Sequence, residues 1–194
     1  MGSDELMPPG LAYLADNIIS RHNLLGADKG AGARWAQDLN LATKSETIFF
    51  AGCGYQYTSE LESLMSLIRK MDKSAIGSEL TMSLAAFQKK LGIDAAGIWR
   101  KVMVRGDKGE AQPLRDAVKV LTNLGVRFGY LGDEEPCCGG LLHYIGRHQD
   151  FARHSQGVHR TLKSAGVKQI ISMVPSCTYT LRNLLPQQVS SGDI

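Results

Sequence analysis

Apolar positions along the chain switch between helical and strand spacing. From Leu6 to Leu25, Leu11, Leu14, Ala15, Ile18 and Ile19 line one helix face, and a second short helix is predicted from Ala31 to Leu39, after a break at Gly26 to Gly32. Thr47-Ile-Phe-Phe-Ala51 is a run of strand formers that ends in Gly52-Cys53-Gly54 and leads into a helix from about Thr58 to Met71. Helical spacing returns from about Glu79 to Leu91 and from Ala95 to Val104, before a turn at Gly106 to Gly109. Leu114 to Leu124 is helical again, with Gly125 as its C-terminal cap. Val126 to Leu131 is the next predicted strand, and Gly132-Asp-Glu-Glu-Pro-Cys-Cys-Gly-Gly140 is too rich in glycine and proline to extend it. Helices at about Leu141 to Tyr144 and Gln149 to Ala165 follow, then a strand from Lys168 to Val174, Pro175-Ser-Cys177 and a last helix through Leu185. Strand, loop and helix thus alternate three times. This predicts an α/β fold, a small parallel sheet flanked by helices with right-handed crossovers, and a loose polar tail over 187–194.

Composition narrows the functional classes. With 194 residues, 43% hydrophobic and 21% charged, the chain can bury one sizeable core, which excludes disordered and fibrous classes. Its 22 Lys+Arg and 19 Asp+Glu are interspersed, so no basic stripe marks it for nucleic acid. The most apolar runs, Thr47 to Gly52 and Gln169 to Val174, are strand-sized and far below the roughly 20 residues of a membrane span. Met1 to Gly10 lacks the basic start and apolar middle of an export signal, so a cytoplasmic location is expected. In that reducing compartment four cysteines are not a disulfide framework.

Those cysteines carry the candidate chemistry. In an open parallel sheet, the loops after the carboxyl ends of the strands converge on one crevice, and Cys53, Cys137, Cys138 and Cys177 all lie on such loops. Cysteines serving as small core hydrophobes would fall inside helices and strands instead. Four thiolates from three loops make a soft-ligand cage, suited to an iron–sulfur cluster or to zinc. Structural zinc sites usually draw on Cys-x-x-Cys knuckles, whereas the close pair here is directly adjacent. Adjacent side chains diverge and reach two metal atoms of a cluster more readily than one ion, which favours iron–sulfur. Gly52, Gly54, Gly139 and Gly140 let backbone amides approach such a group, or serve simply as turn residues. Among the five histidines, His22, His143, His148, His154 and His159, a helical surface explains most; His143 and His148 follow the cysteine pair on the crevice side and are candidate proton donors. Glu134 and Glu135 precede the pair and either serve similarly as proton donors or, more simply, are solvated loop carboxylates. Tyr55 and Tyr179, each two positions after a cysteine, either wall the site or simply pack.

Glu134-Glu-Pro-Cys-Cys-Gly139 followed by Val174-Pro-Ser-Cys177 resembles the cysteine-rich CCG domain, a family that includes the catalytic B and D subunits of heterodisulfide reductases. The family pattern is a cysteine, then Cys-Cys-Gly, then Cys-x-x-Cys, and Cys53, Cys137, Cys138 and Cys177 match it in order. Positions 140 to 173, the 34 residues between Gly139 and Val174, give the downstream half family-like spacing. Phe49-Phe-Ala-Gly-Cys53 and Ala165-Gly-Val-Lys-Gln-Ile-Ile171 are similar as well. The resemblance implies a single CCG-type domain over 46–186, preceded by a helical N-terminal or linker segment, 1–45. The interval from Cys53 to Cys137 exceeds the family's, and the excess, about 72–113, reads as a helical insertion.

One [4Fe-4S] cluster is the implied cofactor, on the four cysteines with Gly139 beside it. Val174 stands where the first cysteine of the closing pair belongs. Four thiolates are what an ordinary cubane needs in place of the family's noncubane cluster, or the vacancy admits solvent or a substrate sulfur instead. With one CCG repeat and no ferredoxin-like cysteine runs, the chain implies an electron-donor protein or other redox subunits as partners, and a thiol or disulfide substrate. Two alternatives stay open: a metal-free thiol oxidoreductase or redox sensor using the vicinal Cys137-Cys138 pair, and a structural subunit whose cysteines hold zinc.

Overall fold

A computed structural model describes residues 7–27, 29–57 and 111–189. The helices expected over 58–71, 79–91 and 95–104, nearly all of the 72–113 insertion and most of the 187–194 tail lie outside the described residues.

Helix α1, Pro9–Arg21, begins with proline in its first turn, where no backbone donor is needed, and buries Ala15 and Ile18 completely. It stops at His22, whose left-handed backbone (φ 58) returns its N–H to the Ile18 carbonyl. The next helix, α2, is only Lys29–Ala33, shorter than the expected Ala31 to Leu39. Gly30 and Gly32 weaken it, and the chain tightens into a 3-10 turn, Arg34–Ala36, that buries Trp35.

Strand β1, Thr47–Phe50, is followed by α3, Cys53–Gln56. Helix α4, Gln112–Asn123, carries Leu114 and Val118 one turn apart on its buried face. Helices α5, Gly140–Tyr144, and α6, His148–Ser164, lead to β2, Gln169–Ser172. Helix α7, Pro175–Tyr179, widens into a π-helical turn, Thr180–Leu184, where the sequence predicted one helix through Leu185.

The sheet is parallel, as expected, with Thr47 opposite Gln169, Ile48 opposite Ile170, Phe49 opposite Ile171 and Phe50 opposite Ser172. The predicted strand from Val126 to Leu131 contracts to isolated parallel bridges of Gly129 with Ile48 and with Ala42. Its backbone still joins β1, because the Phe49 N–H reaches the Gly129 carbonyl at 2.8 Å and the Gly129 N–H reaches Thr47 at 2.9 Å. A side chain at Gly129 would run into the Ala42 carbonyl, and the next amide, Tyr130, donates to Ala42 at 2.8 Å instead of continuing a ladder.

Alternation along β1 divides the core. Phe49 faces Trp35, Leu114, Val118 and Tyr130, while Ile48 and Phe50 face Leu131, Cys138 and Cys177. A third cluster joins Ala15 and Ile18 of α1 to Cys137, Leu142, Phe151 and Leu184. The amino-terminal helix therefore shares its core with the cysteine loop. No helix among the described residues is long and apolar enough to cross a membrane.

Candidate functional site

Three loops meet at the carboxyl end of the sheet. The first leaves β1 through Ala51 and Gly52, whose φ of 75° suits glycine; a side chain there would meet Val174 Cγ2 at 3.0 Å and Cys177 Sγ at 3.2 Å. This close approach sets Cys53 at the start of α3 and brings the first loop against the third. The second loop runs from a 3-10 turn, Gly132–Glu134, through Cys137 and Cys138 to Gly139 (φ 76), where α5 begins. The third places Cys177 inside α7, which Pro175 initiates.

The four cysteines come together as two pairs that cross between loops. Cys53 Sγ lies 3.4 Å from Cys137 Sγ, and Cys138 Sγ lies 3.3 Å from Cys177 Sγ. Cys137, Cys138 and Cys177 are buried, Cys53 is half-buried, and none is in a disulfide. The Gly139 N–H points to Cys137 Sγ at 3.5 Å. Hydrogen bonds with the Cys137 and Cys177 thiols hold Cys138 well below the usual thiol range, reinforced by the Gly140 N–H and by His154. Cys137 and Cys177 are correspondingly pushed up, by their bonds to Cys138 and by burial.

A carboxylate ties two of the loops together. Glu135 Oε2 accepts the Ala51 N–H at 2.9 Å, and its Oε1 accepts the Gly52 N–H at 2.9 Å and Gln56 Nε2 at 2.8 Å. Gln56 Nε2 also donates to the Tyr130 hydroxyl, which receives Trp35 Nε1 at 3.1 Å. Burial pushes the Glu135 carboxyl up to about 8 against the opposing pull of the Ala51 and Gly52 amides. The sequence reading of Glu135 as a solvated loop carboxylate is thereby corrected: it is a half-buried clamp, recognisable only once Ala51 and Gly52 are beside it. A small polar cleft lined by His22, Gln56, Tyr57, Asp133 and Glu135 opens on its outer side.

Histidines divide differently from expectation. His143 and His148 pack edge-to-face with ring centroids 5.1 Å apart, and His143 also meets Phe151. It is His154, buried on α6, that touches the cysteine loop, with Nε2 2.8 Å from the Cys137 carbonyl oxygen. A side chain at Gly139 would meet His154 Cδ2 at 2.5 Å. The signal for His154 was its place on the buried stripe Phe151, His154, Ser155, Val158 of α6. Tyr55 packs with the Phe49 cluster and Tyr179 is exposed.

The donor set, four thiols from the three segments that follow the strands (Cys53 opening α3, Cys137 and Cys138 on the loop before α5, Cys177 within α7), lies in a largely buried place with backbone amides turned towards sulfur and fits an iron–sulfur group in kind. Among the described residues no three His, Cys, Asp or Glu side chains form a ready cage for a single metal ion; the sulfurs stand as pairs.

Residues 103–182 match the family described as CCG, cysteine-rich domain. The resemblance read from the sequence is borne out over that segment, which contains Cys137, Cys138 and Cys177 and leaves Cys53 outside. The chain is also similar to an EtfAB:quinone oxidoreductase of Syntrophomonas wolfei subsp. wolfei (strain DSM 2245B / Goettingen), 36% identical over 77 residues that make up 40% of this chain and 11% of that protein. The similarity thus spans about a tenth of the relative's length. No solved structure matches the chain.

Proposed function

From the match of residues 103–182 to the cysteine-rich CCG domain, we propose that this chain is an iron–sulfur redox subunit or module that holds one [4Fe-4S] cluster on Cys53, Cys137, Cys138 and Cys177. The observation that carries the reading is the convergence of all four thiols at one end of the sheet. The oxidoreductase relative supports a redox role. Such a cluster supplies one-electron transfer.

The chain's own residues bind, orient and screen. Cys138, whose thiol is held below the usual range by its neighbours, is one of the four sulfurs proposed as ligands. The amide of Gly139 is placed to stabilise charge on ligand sulfur, an influence that raises a cluster's potential. Val174 packs on Gly52 beside Cys177, so a methyl group fills a position that the family pattern gives to a cysteine. Four thiolates remain, the number an ordinary cubane takes. Glu135 holds the Cys53 loop in register with the Cys137–Cys138 loop.

The substrate is a disulfide-type compound, in the manner of heterodisulfide reductases, or the chain relays electrons without cleaving a bond. Electrons come from a separate protein, a view consistent with a relative whose name couples EtfAB to quinone. His143 and His148 are the proposed proton donors; the His143 ring adjoins Phe151, which shares a core with Cys137, and His148 packs on His143. The proposed unit is 46–186, in a reducing cytoplasm. Single Cys→Ser variants at the four positions, reconstituted without oxygen, test the ligand set: each should lose most of its bound iron while keeping its far-ultraviolet circular dichroism. Undiminished iron in any folded variant removes that residue from the set.

A further inference from the structure

Beside the hydrogen bond between adjacent Cys137 and Cys138, two thiol contacts run across loops. The two sulfur–sulfur separations, 3.4 Å for Cys53 with Cys137 and 3.3 Å for Cys138 with Cys177, exceed the roughly 2.05 Å of a disulfide by little more than an ångström. Neighbouring Cys137 and Cys138, by contrast, are rooted in different cores. Cys137 packs among Ala15, Leu142 and Phe151, and Cys138 among Ile48, Phe50 and Leu131. A bond between these two would have to close a small ring over the one peptide bond that joins them.

We propose that in the metal-free chain these cysteines form two cross-loop disulfides, Cys53–Cys137 and Cys138–Cys177, a reversible oxidised state of the site. The oxidant is a low-molecular-weight disulfide of the glutathione class. One thiolate of a pair attacks glutathione disulfide and displaces a glutathione thiolate; the partner thiolate then attacks the mixed disulfide and displaces the second. Each protein pair gives up two electrons and two protons, and two molecules of glutathione carry them away. A dithiol reductant reverses the step. Because every sulfur is then committed to a bond, the oxidised chain accepts no metal until it is reduced. This goes beyond the iron–sulfur reading, since it concerns the chain without metal and holds whichever metal the thiols bind.

The test is a peptide map of the full chain, stripped of metal by chelation under reductant, exchanged free of it and treated with glutathione disulfide. The expected product has lost four hydrogens, resists alkylation at all four cysteines, and yields tryptic peptides 45–69, 128–147 and 169–182 linked as one species. C138S should retain a Cys53–Cys137 bond and alkylate at Cys177; C137S should retain Cys138–Cys177 and alkylate at Cys53. Alkylation of both Cys53 and Cys177 in the unmutated chain, which signals a Cys137–Cys138 bond, overturns the proposal, as does a product carrying only stable glutathione adducts. Iron and sulfide content of the untreated preparation is read separately. Cluster-containing protein that maps to the vicinal bond loses this pairing alone, and iron-free protein that maps across loops loses the cluster reading alone.

Discussion

The carboxylate of Glu135 accepts the Gly52 N–H at 2.9 Å, so the residue two places before Cys137 fixes the residue immediately before Cys53. Together with the Ala51 and Gln56 bonds, this is the link through which the first cysteine loop is registered on the second. E135A strands two backbone donors and a side-chain amide. It should cost about 1–3 kcal/mol in urea unfolding and reduce iron uptake more than any change at exposed Glu134. Wild-type stability in E135A would show that the clamp is dispensable.

Gly139 turns the chain into α5 with φ 76° while lying against the His154 ring. G139A should therefore destabilise by about 1–3 kcal/mol, from a left-handed backbone with a β-carbon and from the collision with His154. The double variant G139A/H154A relieves the collision and leaves the backbone strain, so it should recover part of the loss relative to H154A alone. Unfolding midpoints of the four proteins measure this coupling, and additive losses would contradict it.

Trp35 and Gln56 both donate to the buried Tyr130 hydroxyl. Y130F keeps the ring that packs on Trp35, with centroids 4.9 Å apart, and removes the acceptor. A loss of about 0.5–1.5 kcal/mol is expected in chemical denaturation. An unchanged midpoint would mean that both donors find other partners.

Asp38 pairs with Arg115 at 2.7 Å, connecting the segment after Trp35 to α4. The hydrogen-bonding Arg115 guanidinium holds the Asp38 carboxyl at about 2, below its ordinary 3.8. A depressed carboxyl contributes stability that is fully present above its unfolded pKa and is lost as pH falls through the folded one. Between pH 3.8 and about 2, stability should therefore fall more steeply with acid in the wild type than in D38N. Thermal melts across that window check it; parallel curves would mean the pair contributes nothing.

Much of this arrangement was legible in the sequence, for physical reasons that differ by element. The strands at Thr47 and Gln169 announced themselves through compact apolar runs, and the cysteines through their shared place after strands. Val126 to Leu131 has strand composition, yet only Gly129 forms sheet bridges, because the approach of Ala42 is a long-range fact with no local trace. Glu135 was hidden for the same reason: its partners Ala51 and Gly52 lie more than 80 residues away. Sequence distance from the cysteine pair favours His143 and His148, whereas helix periodicity carries His154 inward to the Cys137 carbonyl.

Whether Cys53, Cys137, Cys138 and Cys177 hold a [4Fe-4S] cluster is decided by iron and acid-labile sulfide, measured on chain purified without oxygen. Values near four irons and four sulfides per chain, with a broad absorption band that bleaches on reduction, are the predicted result. Colourless protein that holds no iron after reconstitution would contradict it.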